Sequence, residues 1–517
     1  MRYHVAKLQI TCVTAILLLN LYLLWPADQL FAQQPGRGAI RHVLLISVDG
    51  MHAVDLANFI KSEPESALAR LSATGIIYSQ ASIARPSNSI TGLLSMVTGG
   101  SPNSTGIWYE GSYSRSLSPP SSDCATHGTL VIWGSTIDKD RKAMDGGGID
   151  PGKLPRDPSK GCAPVFPHNF LRVNTIFEVV HDAGMRTAWS DKHPAYDEML
   201  TGPSGKGLDD HFAPELAATA ASRNLQAAET YDDIKVQAVL NLIAGKDHTG
   251  LKPQATPALF GVALQYVSFG QKISTGGYAD AVGTPSAALA KSLKHTDESI
   301  GKFVEALKAR GLAESTLIIV TSRHGDSPMD RARRRIIPDT ILPKIIKQAH
   351  GDAVALAYQD GDIASIWLKD QSQTSQVTKT LSTPENVAAL DIQQILSGES
   401  LKLMFNDPLQ DERIPDIVLI PNLGGIYTEE GSEFIAEHGG FNDDDTNVGL
   451  LIASPRLSAR VIKTPVQTTQ IAPTILKALG LNPNALQAVK KEKTVVLPAL
   501  FDYLETTAGN SQGQIRK

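Results

Sequence analysis

The chain has 517 residues, 42% of them hydrophobic and 20% charged, with a net charge of −5. This is globular composition without low-complexity bias, long enough for several domains or for one large α/β domain with insertions. It excludes a strongly basic nucleic-acid scaffold or membrane-surface protein, and a core of this size does not depend on disulfides to fold.

The N-terminus reads as an export signal. Arg2, His4 and Lys7 precede an apolar stretch from Leu8 to Trp25, and Leu30-Phe31-Ala32 offers a cleavage site before Gln33. Residues 1–32 are therefore expected to be a signal peptide and the mature protein to be periplasmic or extracellular. The stretch is just long enough to span a bilayer, which leaves an uncleaved anchor open. No other segment is expected to meet a membrane. Cys12 lies in this stretch. Cys124 and Cys162 remain as a pair, expected to form a disulfide across a loop-rich region in an oxidising compartment.

Residues 42–48 form a continuous apolar run closed by Asp49-Gly50, which predicts a buried strand ending in a polar loop. Leu56, Phe59, Ile60, Leu68 and Leu71 follow at helical spacing, up to Gly75. Further buried strands are expected at 259–267, 316–321, 416–420 and 448–453. A long helix is expected over 285–310, capped by Thr284 and ended by Gly311. Alternating strands and helices predict an α/β fold, a mostly parallel central sheet with helices on both faces. Its core is expected to comprise 39–108, 169–334 and 411–505. Residues 109–168, rich in Gly, Pro, Ser and Asp, read as one insertion, and 335–410 as a second insertion or cap. The cluster Arg331, Arg333, Arg334 and Arg335 reads as a solvated loop face or as a basic patch.

The chemistry-bearing residues fall at strand ends: Asp49 after the first strand, His324 after 316–321, His438 before 448–453. From Arg85 to Ile107 the chain reads as a polar turn, a helix carrying Leu93, Leu94, Met96 and Val97, and a Gly-rich exit. Ser89 stands at the start of that helix, where the dipole and free backbone N–H groups favour a nucleophile attacking phosphorus. Softer candidates are Asp191-Lys192-His193 at a strand tip, Asp209 and Asp210 in a loop, the run Asp443 to Asp445, and Asp326 beside His324.

These segments resemble the type I phosphodiesterase/nucleotide pyrophosphatase family of the alkaline phosphatase superfamily. The resemblance rests on the strand ending in Asp49-Gly50, on Ser89 eight residues before Val97-Thr98-Gly99, and on Gly106-Ile107. Thr316 to Gly325, Glu437-His438-Gly439-Gly440-Phe441 and Thr468 to Leu476 extend it. It implies a phosphate-ester hydrolase acting on a small-molecule substrate, a Ser89 nucleophile, and two metal ions, usually zinc. Asp49, Ser89, His324 and His438 fall on the family's metal-ligand positions. Other positions depart from the pattern. Arg323 replaces an Asp ligand, and Ser268-Phe-Gly-Gln-Lys272 replaces a segment holding an Asp and a His. Glu110 stands where the family places an Asn that holds a phosphate oxygen. A cation beside a metal is unfavourable, so at most one divalent ion, zinc by family precedent, is expected near Asp49 and His324, with Glu110 a replacement ligand. Arg323, Lys272 and His438 are expected to stabilise the transferring group. A catalytically inactive binding protein on the same fold, or a hydrolase of sulfate or phosphonate esters, remain alternatives.

Overall fold

The computed structural model describes residues 40–504; the expected signal peptide and Cys12 lie outside them. Twelve strands and five helices position the site. The strands are β1 His42–Val48, β2 Gly75–Tyr78, β3 Thr187–Ser190, β4 Asp210–Phe212, β5 Leu259–Leu264, β6 Thr316–Thr321, β7 Val354–Asp360, β8 Ile363–Leu368, β9 Ile392–Ser397, β10 Ile417–Pro421, β11 Leu450–Ala453 and β12 Arg460–Ile462. The helices are α1 Ala53–Ser62, α2 Ser89–Thr98, α3 Leu225–Ile243, α4 Tyr266–Lys272 and α5 Ala287–Ala309.

Eight strands form the central sheet in the order β12-β2-β11-β6-β1-β5-β3-β4. Every neighbouring pair is parallel except those made by β11, which runs antiparallel to both β6 and β2. Strand β1 sits in the middle and alternates its side chains between two cores. Val43 and Leu45 join one core with Ile90, Leu93, Leu94, Met96 and Val97 of α2. Leu44, Ile46 and Val48 join the other with Leu56 and Phe59 of α1, Val236 and Val239 of α3, and Leu289 and Leu293 of α5. The expected two-faced sheet is therefore present.

Several boundaries differ from expectation for identifiable reasons. The apolar run at 259–267 is not all strand: β5 ends at Leu264 and α4 begins at Tyr266. The Asp232 carboxylate accepts from the backbone N–H groups of Gln265 and Tyr266, so a remote side chain satisfies the donors of the new helix. Ser286, not Thr284, caps α5, accepting from Leu289 N at 3.2 Å. The helical pattern after Asp49 is broken into α1 and Ala67–Ala73, and Gly75 opens β2 rather than closing a helix. Strand β10, expected near 416–420, lies outside the central sheet. It completes a four-stranded antiparallel sheet ordered β7-β8-β10-β9, with its own core around Leu342, Ile366, Leu381 and Leu419.

The first insertion contains two short hairpins, Gly111–Ser114 with Thr129–Ile132 and Arg156–Asp157 with Ala163–Pro164. Cys124 and Cys162 are disulfide-bonded across it. Among the described residues no helix is long and apolar enough to cross a membrane.

Candidate active site

Strands β6, β1, β5 and β3 are neighbours, run parallel and end on one edge of the sheet. Each delivers a polar segment there: Arg323 to Asp326 after β6, Asp49 after β1, Gln265 and then α4 with Lys272 after β5, and Asp191-Lys192 after β3. Helix α2 brings Ser89 over this edge. Asn88 caps it, accepting from Ile90 N at 3.1 Å, and all ten helix residues are buried. The close approach depends on Gly92, where a Cβ would stand 1.9 Å from the carbonyl oxygen of Arg323.

A buried charge network fills the centre. The Arg323 guanidinium, 0% exposed, donates Nε and Nη2 to the two oxygens of Asp49 at 2.9 Å each. It also donates Nη1 and Nη2 to Asp191 at 3.1 and 3.0 Å. Gln265 donates a third bond to Asp49 at 3.0 Å, and Trp189 and the backbone N–H of Lys192 donate to Asp191 at 2.8 Å each. Burial alone would push the Asp49 carboxyl up. Arg323, with His324 and Lys192, outweighs this and holds it well below the usual carboxylate range. Burial likewise disfavours the charge on Arg323, but Asp191 and Asp49 raise its pKa beyond the ordinary value.

Ser89 Oγ lies 2.9 Å from Lys192 Nζ and 3.3 Å from His438 Nε2. Lys192 Nζ is also 3.8 Å from Asp49. Burial, then the neighbouring Arg323, lowers the Lys192 pKa. His438 stacks on His324 with ring centroids 3.6 Å apart and planes 5° from parallel. Burial lowers the pKa of both imidazoles, and His438, facing His324 and Lys272, falls furthest. Lys272 Nζ lies 2.7 Å from both His438 Nδ1 and Glu437, and 3.5 Å from Asp326. Burial opposes the Lys272 charge, but Glu437 and Asp326 outweigh it and raise its pKa.

The structure thus gathers Asp49, Ser89, Arg323, His324, Lys272 and His438 at one edge. The Glu110 carboxylate accepts the Tyr196 hydroxyl at 2.7 Å and lies outside the set of clustered metal donors. That set, among the described residues, is His324, Asp326 and His438, whose ligand atoms lie within 4.8 Å of one another. Asp49 is not part of it, although its Oδ2 lies 3.7 Å from His324 Nε2, and Arg323 and Gln265 occupy its oxygens. Lys192, Asp191 and Asp326, only softly marked in the sequence, sit at the centre. Their signal was position: Asp191-Lys192 at the tip of β3, and Asp326 two residues beyond His324. The softer candidates lie elsewhere. His193 bonds Glu215 at 3.0 Å, and Asp209 and Asp210 pair with His181 and His248. Asp445 and Asp362 are both buried and their carboxyls interact. Burial, then the charge of Asp445, pushes Asp362 well up, and burial brings Asp445 to about 7.

The residues do not fit a pair of metal ions. At one ion position Arg323 stands in place of a carboxylate and saturates Asp49. At the other, Lys272 stands in place of an imidazole. The His324, Asp326 and His438 group leaves His324 Nε2 and both Asp326 oxygens without a hydrogen bond, which favours a ligand. Two features oppose an ion there. Lys272 already contacts His438 Nδ1 and Asp326. An imidazole lone pair also lies in its ring plane, and two near-parallel rings 3.6 Å apart cannot both aim at one ion. At most one ion is accommodated, after Lys272 withdraws and the rings unstack.

Comparison with the curated proteins returns no match. Solved structures share the fold. Murine ectonucleotide pyrophosphatase/phosphodiesterase 5 superposes with a TM-score of 0.55 at 14% identity, covering 86% of this chain and 96% of its own. It has also been solved as an inactive variant in complex with AMP. The human protein superposes with a TM-score of 0.55 at 14% identity, covering 85% and 95%. Wild-type alkaline phosphatase PafA gives a TM-score of 0.55, 14% identity, and 86% and 96% coverage. The family described as "Type I phosphodiesterase / nucleotide pyrophosphatase" matches residues 43–441. The chain belongs to the type I phosphodiesterase/nucleotide pyrophosphatase family of phosphoric ester hydrolases.

Proposed function

We propose that the protein is an exported hydrolase of small phosphate diesters that works through a phosphoserine on Ser89. The observation that supports this most directly is the placement of Ser89 Oγ at the start of α2, between Lys192 Nζ and His438 Nε2. Export is supported by the N-terminal signal layout and by the Cys124–Cys162 disulfide.

Ser89 Oγ attacks phosphorus and its proton passes to Lys192 Nζ, whose lowered pKa suits it to act as base. The bond from phosphorus to the leaving alcohol oxygen breaks, and that oxygen takes a proton from solvent. The new Lys192 ammonium lies beside Asp49 and the transferred group. Water then attacks the phosphoserine, releasing a phosphate monoester and a proton, and Lys192 returns its proton to Ser89 Oγ. The α2 N-terminus stabilises charge on the phosphoryl oxygens. Glu110, near Lys192 and bonded to Tyr196, disfavours a dianionic monoester more than a monoanionic diester. The AMP complex of the murine neighbour is in keeping with a nucleotide-sized substrate. Any single divalent ion, zinc by its two imidazole donors, would be held by His324, Asp326 and His438.

The test compares Ser89→Ala with wild type on bis(4-nitrophenyl) phosphate, 4-nitrophenyl phosphate and 4-nitrophenyl sulfate. Wild type is expected to favour the diester, and the variant to lose at least about a thousandfold in kcat while keeping its melting temperature. Undiminished turnover by the variant excludes Ser89 as nucleophile. Preference for the sulfate reassigns the ester.

A further inference from the structure

The misfit between this site and a pair of metal ions has a specific form, because cations stand at two of the three positions that lost a ligand, Arg323 and Lys272, and a third cation, Lys192, lies beside Ser89. We infer that Lys192, Lys272 and Arg323 together supply the charge that two metal ions supply in the family, and that this protein hydrolyses its phosphate ester without a divalent ion. The inference rests on Ser89 being the nucleophile.

Consider the Asp49 side first. An ion there would bridge Asp49 and the nucleophile, and Lys192 Nζ makes that bridge, 2.9 Å from Ser89 Oγ and 3.8 Å from Asp49. Asp49 itself accepts two bonds from Arg323 and one from Gln265. A zinc ion at bonding distance would have to break these, since carboxylate–zinc contacts are about 2.0–2.2 Å. Across the pocket, Lys272 Nζ stands among His438 Nδ1, Glu437 and Asp326, an ammonium inside a set of metal-type donors. The stacked rings of His324 and His438 point their lone pairs along parallel planes and cannot converge on one ion.

Charge balance leads to the same place. Asp49 and Asp191 face Arg323 and Lys192, which becomes an ammonium once it has taken the Ser89 proton, and all four are buried or nearly so. Adding a doubly charged ion to this set would leave it net positive before and after that proton transfer, which is strongly unfavourable at low dielectric. In a two-ion site Asp49 would be part of the compensation. Here it is already used by Arg323 and Gln265.

The experiment uses the full chain, dialysed against a chelator and compared with untreated protein. Three quantities are read: bound zinc by elemental analysis, turnover of bis(4-nitrophenyl) phosphate, and covalent labelling of Ser89 by an aryl fluorophosphonate, followed by mass. The expected result is less than about one tenth of an equivalent of zinc, with turnover and labelling unchanged by chelation. Lys192→Met is expected to slow labelling by at least about a hundredfold with no change in zinc content. Arg323→Asp combined with Lys272→His is expected to take up zinc when zinc alone is titrated, whereas wild type is not. Loss of turnover or labelling on chelation with restoration by zinc, or one tightly held equivalent in wild type, overturns the inference while leaving Ser89 as nucleophile. Labelling at a residue other than Ser89 instead overturns the reading on which it rests. Should the double variant fail to fold, the wild-type chelation result still decides.

Discussion

Replacing Arg323 by methionine tests whether the central network is held by charge pairing. Methionine keeps much of the volume and removes the guanidinium, leaving Asp49 and Asp191 buried, at 1% and 0% exposure, with four hydrogen bonds gone. Breaking a buried pair by removing one partner costs about 3–5 kcal/mol. Unfolding entropy near 2 cal/mol/K per residue makes the slope about 1 kcal/mol/K for a chain of this length, so the melting temperature should fall by about 3–5 °C. The sign of the pH dependence follows from Asp49. In wild type its pKa is held below the ordinary value, so its stabilising effect is complete above about pH 4 and flat from pH 5 to 8. In the variant the largest influence left on Asp49 is burial, which raises its pKa. The group then stabilises the fold only when protonated, and the deficit deepens as pH rises. Calorimetric melting at pH 5 and pH 8 measures this, and adding Asp191→Asn should recover part of the loss. A variant as stable as wild type at pH 8, or a deficit that grows on acidification, would refute the argument.

Two further outcomes follow from the packing. Gly92→Ala sets a Cβ 1.9 Å from the Arg323 carbonyl, so α2 must shift; Ser89 labelling should slow by at least about tenfold, with a stability loss of about 1–3 kcal/mol. Asp362→Asn tests whether the Asp362 and Asp445 carboxyls share a proton. Carboxyl pKa values raised by folding give stability that is full below about pH 4 and is lost as pH rises, for Asp445 through about 7. The amide can donate to Asp445 without that proton, so the melting temperature of the variant relative to wild type should rise from pH 5 to pH 8; a flat difference would count against proton sharing.

The sequence made legible what is local in the chain. Strands β1 and β6 are short apolar runs with polar ends, and Ser89 and His438 lie in motifs of fixed spacing. What escaped was whatever depends on tertiary neighbours. An apolar run does not say which sheet it joins, so β10 was expected near the central sheet but pairs with β8 and β9. The end of β5 is set by Asp232, 33 positions earlier, whose carboxylate captures the next N–H groups. Lys192 lies 103 residues from Ser89, and only the adjacency of β3 to β5 and of β5 to β1 brings them together. The hydrogen bond from Tyr196 to Glu110 was equally illegible, because the two residues lie 86 positions apart.

Arg323 connects these observations. At the tip of β6 it stands where the resemblance implies a carboxylate, and a cation there makes Asp49 useless as a metal ligand unless the guanidinium leaves. It cannot leave cheaply, because Asp191, from a strand two places beyond β1, holds its other edge. With both carboxylates committed, the remaining positive charge near Ser89 must come from a flexible side chain. Lys192 follows Asp191 directly, so the residue that anchors Arg323 also aims Lys192 at the nucleophile. A metal ion activates a serine by charge and cannot take its proton. A lysine of lowered pKa can do both in succession, base before attack and cation after it. On the proposed mechanism the Ser89 hydroxyl proton goes to Lys192, and Lys192, more than His438, should set the pH dependence of the first chemical step.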